Sequence, residues 1–182
     1  MKHQTDPKLS SWVNHYGCFF MCMVYWFYFQ LTGKDREYEE IESIKQKAFD
    51  AGIISGDLNH DGDLDDSGEG EIQGDMLLKG IHVNGKDALC DIAGVPLHYI
   101  GSVPVEHYKW EPGHFCIGQF HNAWKDSKGK HEFTHYVGVN GRMIAGRKND
   151  REVVEYDPIP DSNTVRIGKL VAVRVFVKKG GA

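Results

Sequence analysis

The run from Asn14 to Leu31 limits what this chain can fold into more than any other stretch. Between Phe19 and Phe29 the side chains are apolar on every face of a helix, and such a helix belongs in the middle of a core or in a membrane. Crossing a bilayer takes about 20 apolar residues, more than this run supplies. It is also rich in aromatics and has no small-residue cleavage site after it, unlike a secretory leader. The run therefore predicts a central buried helix ending near Thr32-Gly33, with a cap near Asn14. One reactive group sits at its front edge: Cys18, directly after Gly17. A thiol in the first helical turn faces the positive end of the helix dipole, which favours the thiolate, and Gly17 removes a side chain that would block access to the sulfur. The plain alternative is a buried cysteine acting as a small hydrophobe.

A chain of 182 residues with 41% hydrophobic and 26% charged residues is expected to form one domain, residues 1–182, with a sizeable core. Formal net charge is −5 and no basic block occurs, so nothing points to nucleic acid as a partner. No spanning or targeting segment is read, so a membrane partner is not expected either. The cysteines Cys18, Cys22, Cys90 and Cys116 contain no CxxC spacing, which suggests reduced thiols and a cytoplasmic location. Cys18 and Cys22 lie one helical turn apart, but no second pair follows at zinc-finger spacing.

Residues 1–12 read as a polar lead-in. After the core helix, a second helix is expected from about Asp35 to Ala51, with Ile41, Ile44, Ala48 and Phe49 on one stripe and Gly52 as its stop. Short helices are plausible near Asp75–Gly80 and Lys86–Ala93. Five later runs read as strands from their β-branched and aromatic content: Leu97–Ile100, His114–Phe120, Phe133–Asn140, Val153–Tyr156 and Leu170–Val177. Asn122–Lys130 reads as a polar surface loop, and Asn140-Gly141 as a hairpin turn. Helices first and strands second predict an α+β fold, with a helical half packed on an antiparallel sheet.

Between the two halves lies an acidic loop, residues 57–71. Asp57, Asn59, Asp61 and Asp65 fall at positions 1, 3, 5 and 9 of an EF-hand-type loop, and Gly62 falls at position 6, where the chain must turn. Asp63 at position 7 needs to offer only its carbonyl. Position 12 is Gly68, so a loop stretched by one residue is closed by Glu69. Acids this dense repel one another without a cation. The predicted ligands are Asp57, Asn59, Asp61, Asp63 and Glu69, holding one structural Ca²⁺, with no organic cofactor. No second such loop occurs, which argues against a calcium-sensor role.

His135 falls early in the strand around Tyr136-Val137, and Asp157 ends the next strand just before Pro158. In an antiparallel pair the start of one strand lies beside the end of its neighbour, so the Asp157 carboxylate can orient the His135 imidazole. A histidine so held can serve a thiol at the helix tip, which gives nucleophile, base and orienting acid in the chain order Cys18, His135, Asp157. Taken singly, each residue has an ordinary explanation: a bonded core histidine, and an aspartate opening a turn before proline. His107, His114, His121 and His131 also fall in the strand half, and His131 shares a strand face with His135, which leaves a zinc hydrolase as an alternative.

Gly17-Cys18 at the head of an apolar helix, Thr134-His135-Tyr136-Val137 on a strand and Tyr156-Asp157-Pro158 at a turn resemble the papain-like cysteine peptidases, specifically the C39-like branch. Gly113-His114-Phe115 is similar to the same sheet, but the distance from His135 to the Asp-Pro turn fits better. The resemblance implies a papain-like fold and thiol hydrolysis of peptide or peptidoglycan-type amide bonds, with an oxyanion hole made partly by the Cys18 backbone N–H. That branch usually carries a glutamine about six residues before the cysteine. Trp12 stands there in this chain, with Asn14 and His15 as neighbouring substitutes. The departure keeps a second reading open, a calcium-stabilised binding module on the same fold without the chemistry.

Overall fold

Gly17 divides the expected helix. The structure, a computed structural model, describes residues 1–54 and 83–180. Helix α1 (Ser11–Tyr16) starts from Ser10 rather than near Asn14, and the chain then breaks at Gly17 and restarts as α2 (Cys18–Met21). A π-helical turn, Cys22–Trp26, carries the same axis into α3 (Phe27–Thr32). Gly33 closes it in the left-handed region at φ 68°, where a side chain would be strained. Every residue from Cys18 to Phe27 is buried, as expected for a helix apolar all round. Only glycine fits at this break: a Cβ on Gly17 would lie 2.4 Å from the Val13 carbonyl oxygen. That close approach, rather than access to the sulfur alone, is what requires glycine there.

Helix α4 (Tyr38–Asp50) opens with a reciprocal capping box between Glu37 and Glu40 and buries Ile41, Ile44 and Ala48 on one stripe. Helix α5 (Val83–Ile92) follows, and Gly94 turns the chain at φ 63°. Arg36 ties this half together. Its guanidinium donates to the Val24 carbonyl at 2.9 Å and the Ala93 carbonyl at 2.6 Å, and stacks on Tyr28 at 3.8 Å.

The second half is one antiparallel sheet of five strands: β1 (Leu97–Pro104), β2 (Phe115–Asp126), β3 (Gly129–Val139), β4 (Val154–Tyr156) and β5 (Lys169–Lys178), in the order β1-β5-β2-β3-β4. A last short helix, α6 (Asn163–Ile167), lies between β4 and β5. The chain is therefore mixed helix and antiparallel sheet, an α+β fold. Side-chain alternation splits the core between the two sheet faces. Ile117, Tyr136 and Phe176 meet the central helix, whereas Cys116, Val137 and Val175 pack with Ile144, Val153 and Val165. At Gly138 an added Cβ would fall 2.5 Å from the Trp26 ring, so the helix lies directly on the backbone of β3.

Three expectations need correction. The polar stretch 122–130 is no loop: β2 and β3 pair from Cys116↔Val139 out to Asp126↔Gly129, and only Ser127 and Lys128 form the turn. Asp126 Oδ1 accepts from the Lys128 N–H at 2.7 Å and stabilises that turn locally. Asn140-Gly141 is no tight hairpin either. It opens a 3₁₀ turn at Gly141–Met143, and the chain reaches β4 only after a second such turn, Asp150–Val153. Gly141 is needed for close approach, since a Cβ would sit 2.5 Å from the Tyr108 hydroxyl.

The third correction concerns residues 1–12, which are not a solvated lead-in. Lys2, Gln4, Leu9 and Trp12 are buried. The Lys2 N–H donates to the Tyr25 hydroxyl at 2.9 Å, and the Tyr156 hydroxyl donates to the Lys2 carbonyl at 2.9 Å. The arm thus bridges the central helix and β4. Among the described residues, no helix is long and apolar enough to cross a membrane.

Candidate active site

Strand β4 pairs with β3 only at Gly138 and Val139, so the part of β3 before them is not covered by β4. The tip of the central helix reaches this part, where the Cys22 thiol donates to the Tyr136 carbonyl at 3.7 Å. His135 precedes Tyr136, and Asp157 follows the last residue of β4. These placements bring the three sequence candidates together. His135 Nε2 and Asp157 Oδ1 are 2.7 Å apart, and Cys18 is near enough to the same imidazole to raise its pKa. Because a carboxylate accepts, Nε2 carries the hydrogen, and Nδ1 is the ring nitrogen left for the sulfur. Nδ1 is thus the atom through which the ring would exchange a proton with the thiol.

His135 is 3% exposed. Burial by itself disfavours its imidazolium, but the hydrogen bonds to Asp157 and Cys18 and the charges of both partners outweigh it, and its pKa is pushed up to about 9. The other thiols have different surroundings. Burial raises Cys22 well above the ordinary thiol range, Cys90 to about 12 and Cys116 to about 11. Cys18 is the cysteine that acts on the His135 imidazole.

Asp157 is held from several sides. Its Oδ1 accepts from the Ile159 N–H at 2.9 Å, and its carbonyl accepts from His3 Nδ1 at 3.0 Å. The next carbonyl, of Pro158, accepts from the Gln4 N–H at 2.8 Å. Gln4 in turn donates its side-chain amide to the Asn14 carbonyl at 2.9 Å. The N-terminal arm therefore ties the Asp157 turn to α1, just before the helix that begins at Cys18. Sequence reasoning missed His3 and Gln4, because neither lies in a periodic pattern that signals burial.

Cys18 is the first residue of α2, and first-turn amides have no acceptor within their own helix, which suits its N–H to an oxyanion. Trp12 is buried edge-on against Phe20 with ring centroids 5.6 Å apart. Its indole nitrogen is buried and has no partner among the described residues. Asn14 donates its amide to the carbonyls of Gln4 at 2.6 Å and Asp6 at 3.1 Å, so it is committed to the arm. The side chain of His15 lies outside the described residues.

The calcium ligands expected at Asp57, Asn59, Asp61, Asp63 and Glu69 also lie outside the described residues. Among those described, no three His, Cys, Asp or Glu side chains gather to hold a metal ion. The histidines have separate partners: His131 meets Asp126 at 3.0 Å and stacks on Trp124, His114 meets the Tyr108 hydroxyl at 3.1 Å, and His135 meets Asp157. No protein-family model, curated protein or solved structure matches the chain.

Proposed function

We propose that the chain is a cysteine hydrolase of papain-like type that cleaves peptide or peptidoglycan-type amide bonds. The observation that supports this most directly is the 2.7 Å contact of His135 Nε2 with Asp157, with Cys18 beside the same ring and raising its pKa. In this reading the Cys18 proton passes to His135 Nδ1, and the sulfur attacks the amide carbonyl carbon. The oxyanion forms beside the Cys18 N–H. The imidazolium then protonates the leaving amine, leaving a thioester on Cys18. His135 next deprotonates a water that attacks the thioester, which releases the acid and returns the proton to sulfur. Asp157 holds the ring and stabilises its cationic form throughout. Calcium bound by the acidic loop serves as a structural ion, on the basis of its oxygen spacing.

The test is the pH dependence of Cys18 alkylation by iodoacetamide, in the native protein and in His135→Ala. Fast alkylation near pH 6 that slows in the variant is expected. A Cys18 inert until the protein unfolds, with or without His135, sinks the enzyme reading. It would then favour the calcium-stabilised binding module, which gains support from the buried Trp12 where a second oxyanion donor is expected.

A further inference from the structure

The β2–β3 hairpin runs well beyond the core and carries an unusual surface. Alternation along the two strands puts Asn122 and Trp124 on one face with His131, Phe133 and His135. Trp124 is stacked between His131, 5.1 Å away, and Phe133, 5.2 Å away. Both Trp124 (42% exposed) and Phe133 (53%) remain open to solvent. Helix α6 lies over the same face, anchored by Val165 in the core with Phe120, and leaves a groove of about 440 Å³. Asn122, Trp124 and Phe133 line one wall, and Asn163, Thr164 and Ile167 the other.

Among the described residues no ionisable side chain lines this groove directly, although His131 stacks on Trp124 and Arg166 bonds Asn163. Its polar groups are neutral amides and a hydroxyl. Among the described residues the Asn122 amide and the Thr164 hydroxyl make no hydrogen bond, and Asn163 spends only its Oδ1, on Arg166 at 2.7 Å. A purely apolar ligand would bury these amides without partners, which costs more than the contact returns. A charged ligand would find no charged group on the walls themselves, since His131 is paired with Asp126 and Arg166 is bonded to Asn163. A neutral pyranose fits both halves of the surface: its C–H face lies against the open side of Phe133 and the exposed edge of Trp124, and its rim of hydroxyls meets the amides. A volume of this size is in the range of small-molecule sites.

The groove also has a defined position. Phe133 is two residues before His135 on the same face, which is roughly 7 Å along a strand. The opposite wall begins at Asn163, six residues after Asp157. One wall is thus on the strand that carries His135, and the other follows Asp157 in the chain. We propose that this groove is a saccharide subsite that seats one or two neutral sugar units along the strand that carries His135. Saccharide binding stands on the groove itself; its role in presenting a glycan-linked amide to Cys18 rests on the hydrolase reading.

The test uses the full chain as Cys18→Ala, so that nothing is cleaved, titrated with tetra-N-acetylchitotetraose and with maltotetraose by two-dimensional NMR. Saturable shifts of the Trp124 indole N–H and the Asn122 and Asn163 amides are expected with at least one sugar. Trp124→Ala should weaken binding at least about tenfold, and Asn122→Ala severalfold, with the remaining spectrum unchanged. Both positions are on the surface, so folding is retained. The proposal is overturned if neither sugar gives a saturable shift at up to about 10 mM, or if Trp124→Ala leaves binding intact. It is also overturned if a phenylalanine-containing tripeptide saturates these resonances and the sugars do not. Retained sugar binding beside an alkylation-inert native Cys18 upholds the site and removes only the hydrolase reading.

Discussion

Replacing Asp157 by asparagine isolates the charge that holds the imidazole. The side chain keeps its shape and an oxygen that can accept from His135 Nε2, but not its negative charge. The contact is 2.7 Å, and the two side chains are 4% and 17% exposed, so solvent screens it little. A hydrogen bond to a charged group contributes about 1.5–3 kcal/mol and a neutral one about 0.5–1.5, a difference of about 1–2 kcal/mol. At about 1.4 kcal/mol per pH unit, the imidazolium titration should fall by roughly one unit. The starting point is about 9, so the variant should titrate near 8 by this shift. The assay is the NMR titration of the His135 ring proton in the native protein and in Asp157→Asn.

The same shift fixes the sign of the pH effect on stability. The folded value of about 9 lies above the ordinary 6.5. The imidazolium therefore contributes stability that is fully present below pH 6.5 and is lost as pH rises through about 9. In Asp157→Asn that loss should come about one unit earlier. A native midpoint at or below 6.5, or a variant midpoint still near 9, refutes the reasoning.

Two further outcomes are expected. Gly138→Ala should lower the unfolding free energy by about 1–3 kcal/mol in urea denaturation, because its Cβ must displace the buried Trp26 ring. An unchanged midpoint would mean that the helix does not lie on β3 as described. Calcium should raise the melting temperature of the native protein, and Asp61→Ala should abolish the rise; equal melting curves with calcium and with chelator would remove the ion from the proposal.

Several elements were legible in the sequence because local physics decides them. A segment apolar on all faces has to be a buried helix, and Gly33 has to end it. The stripe of Ile41, Ile44 and Ala48 fixes the buried side of α4. The strands around Ile117, Val137 and Val175 follow from residue type. The meeting of His135 and Asp157 was readable because antiparallel pairing turns chain order into proximity.

Tertiary contacts decided the remainder. Lys2 and Gln4 are buried because Tyr25, Tyr156 and Pro158 supply hydrogen bonds from distant parts of the chain, and no short-range pattern encodes that. The outer half of the β2–β3 hairpin reads as loop because its polar residues meet solvent instead of a core; backbone pairing between the strands makes it a ladder. Gly17, Gly138 and Gly141 are spaced for packing, and only the approach of Val13, Trp26 and Tyr108 reveals the reason. The groove beside His135 exists only once α6 folds back over the hairpin. Sequence by itself set which segments are buried and which chemistry-bearing residues they carry. The long-range approach of separate elements decided which of those residues meet.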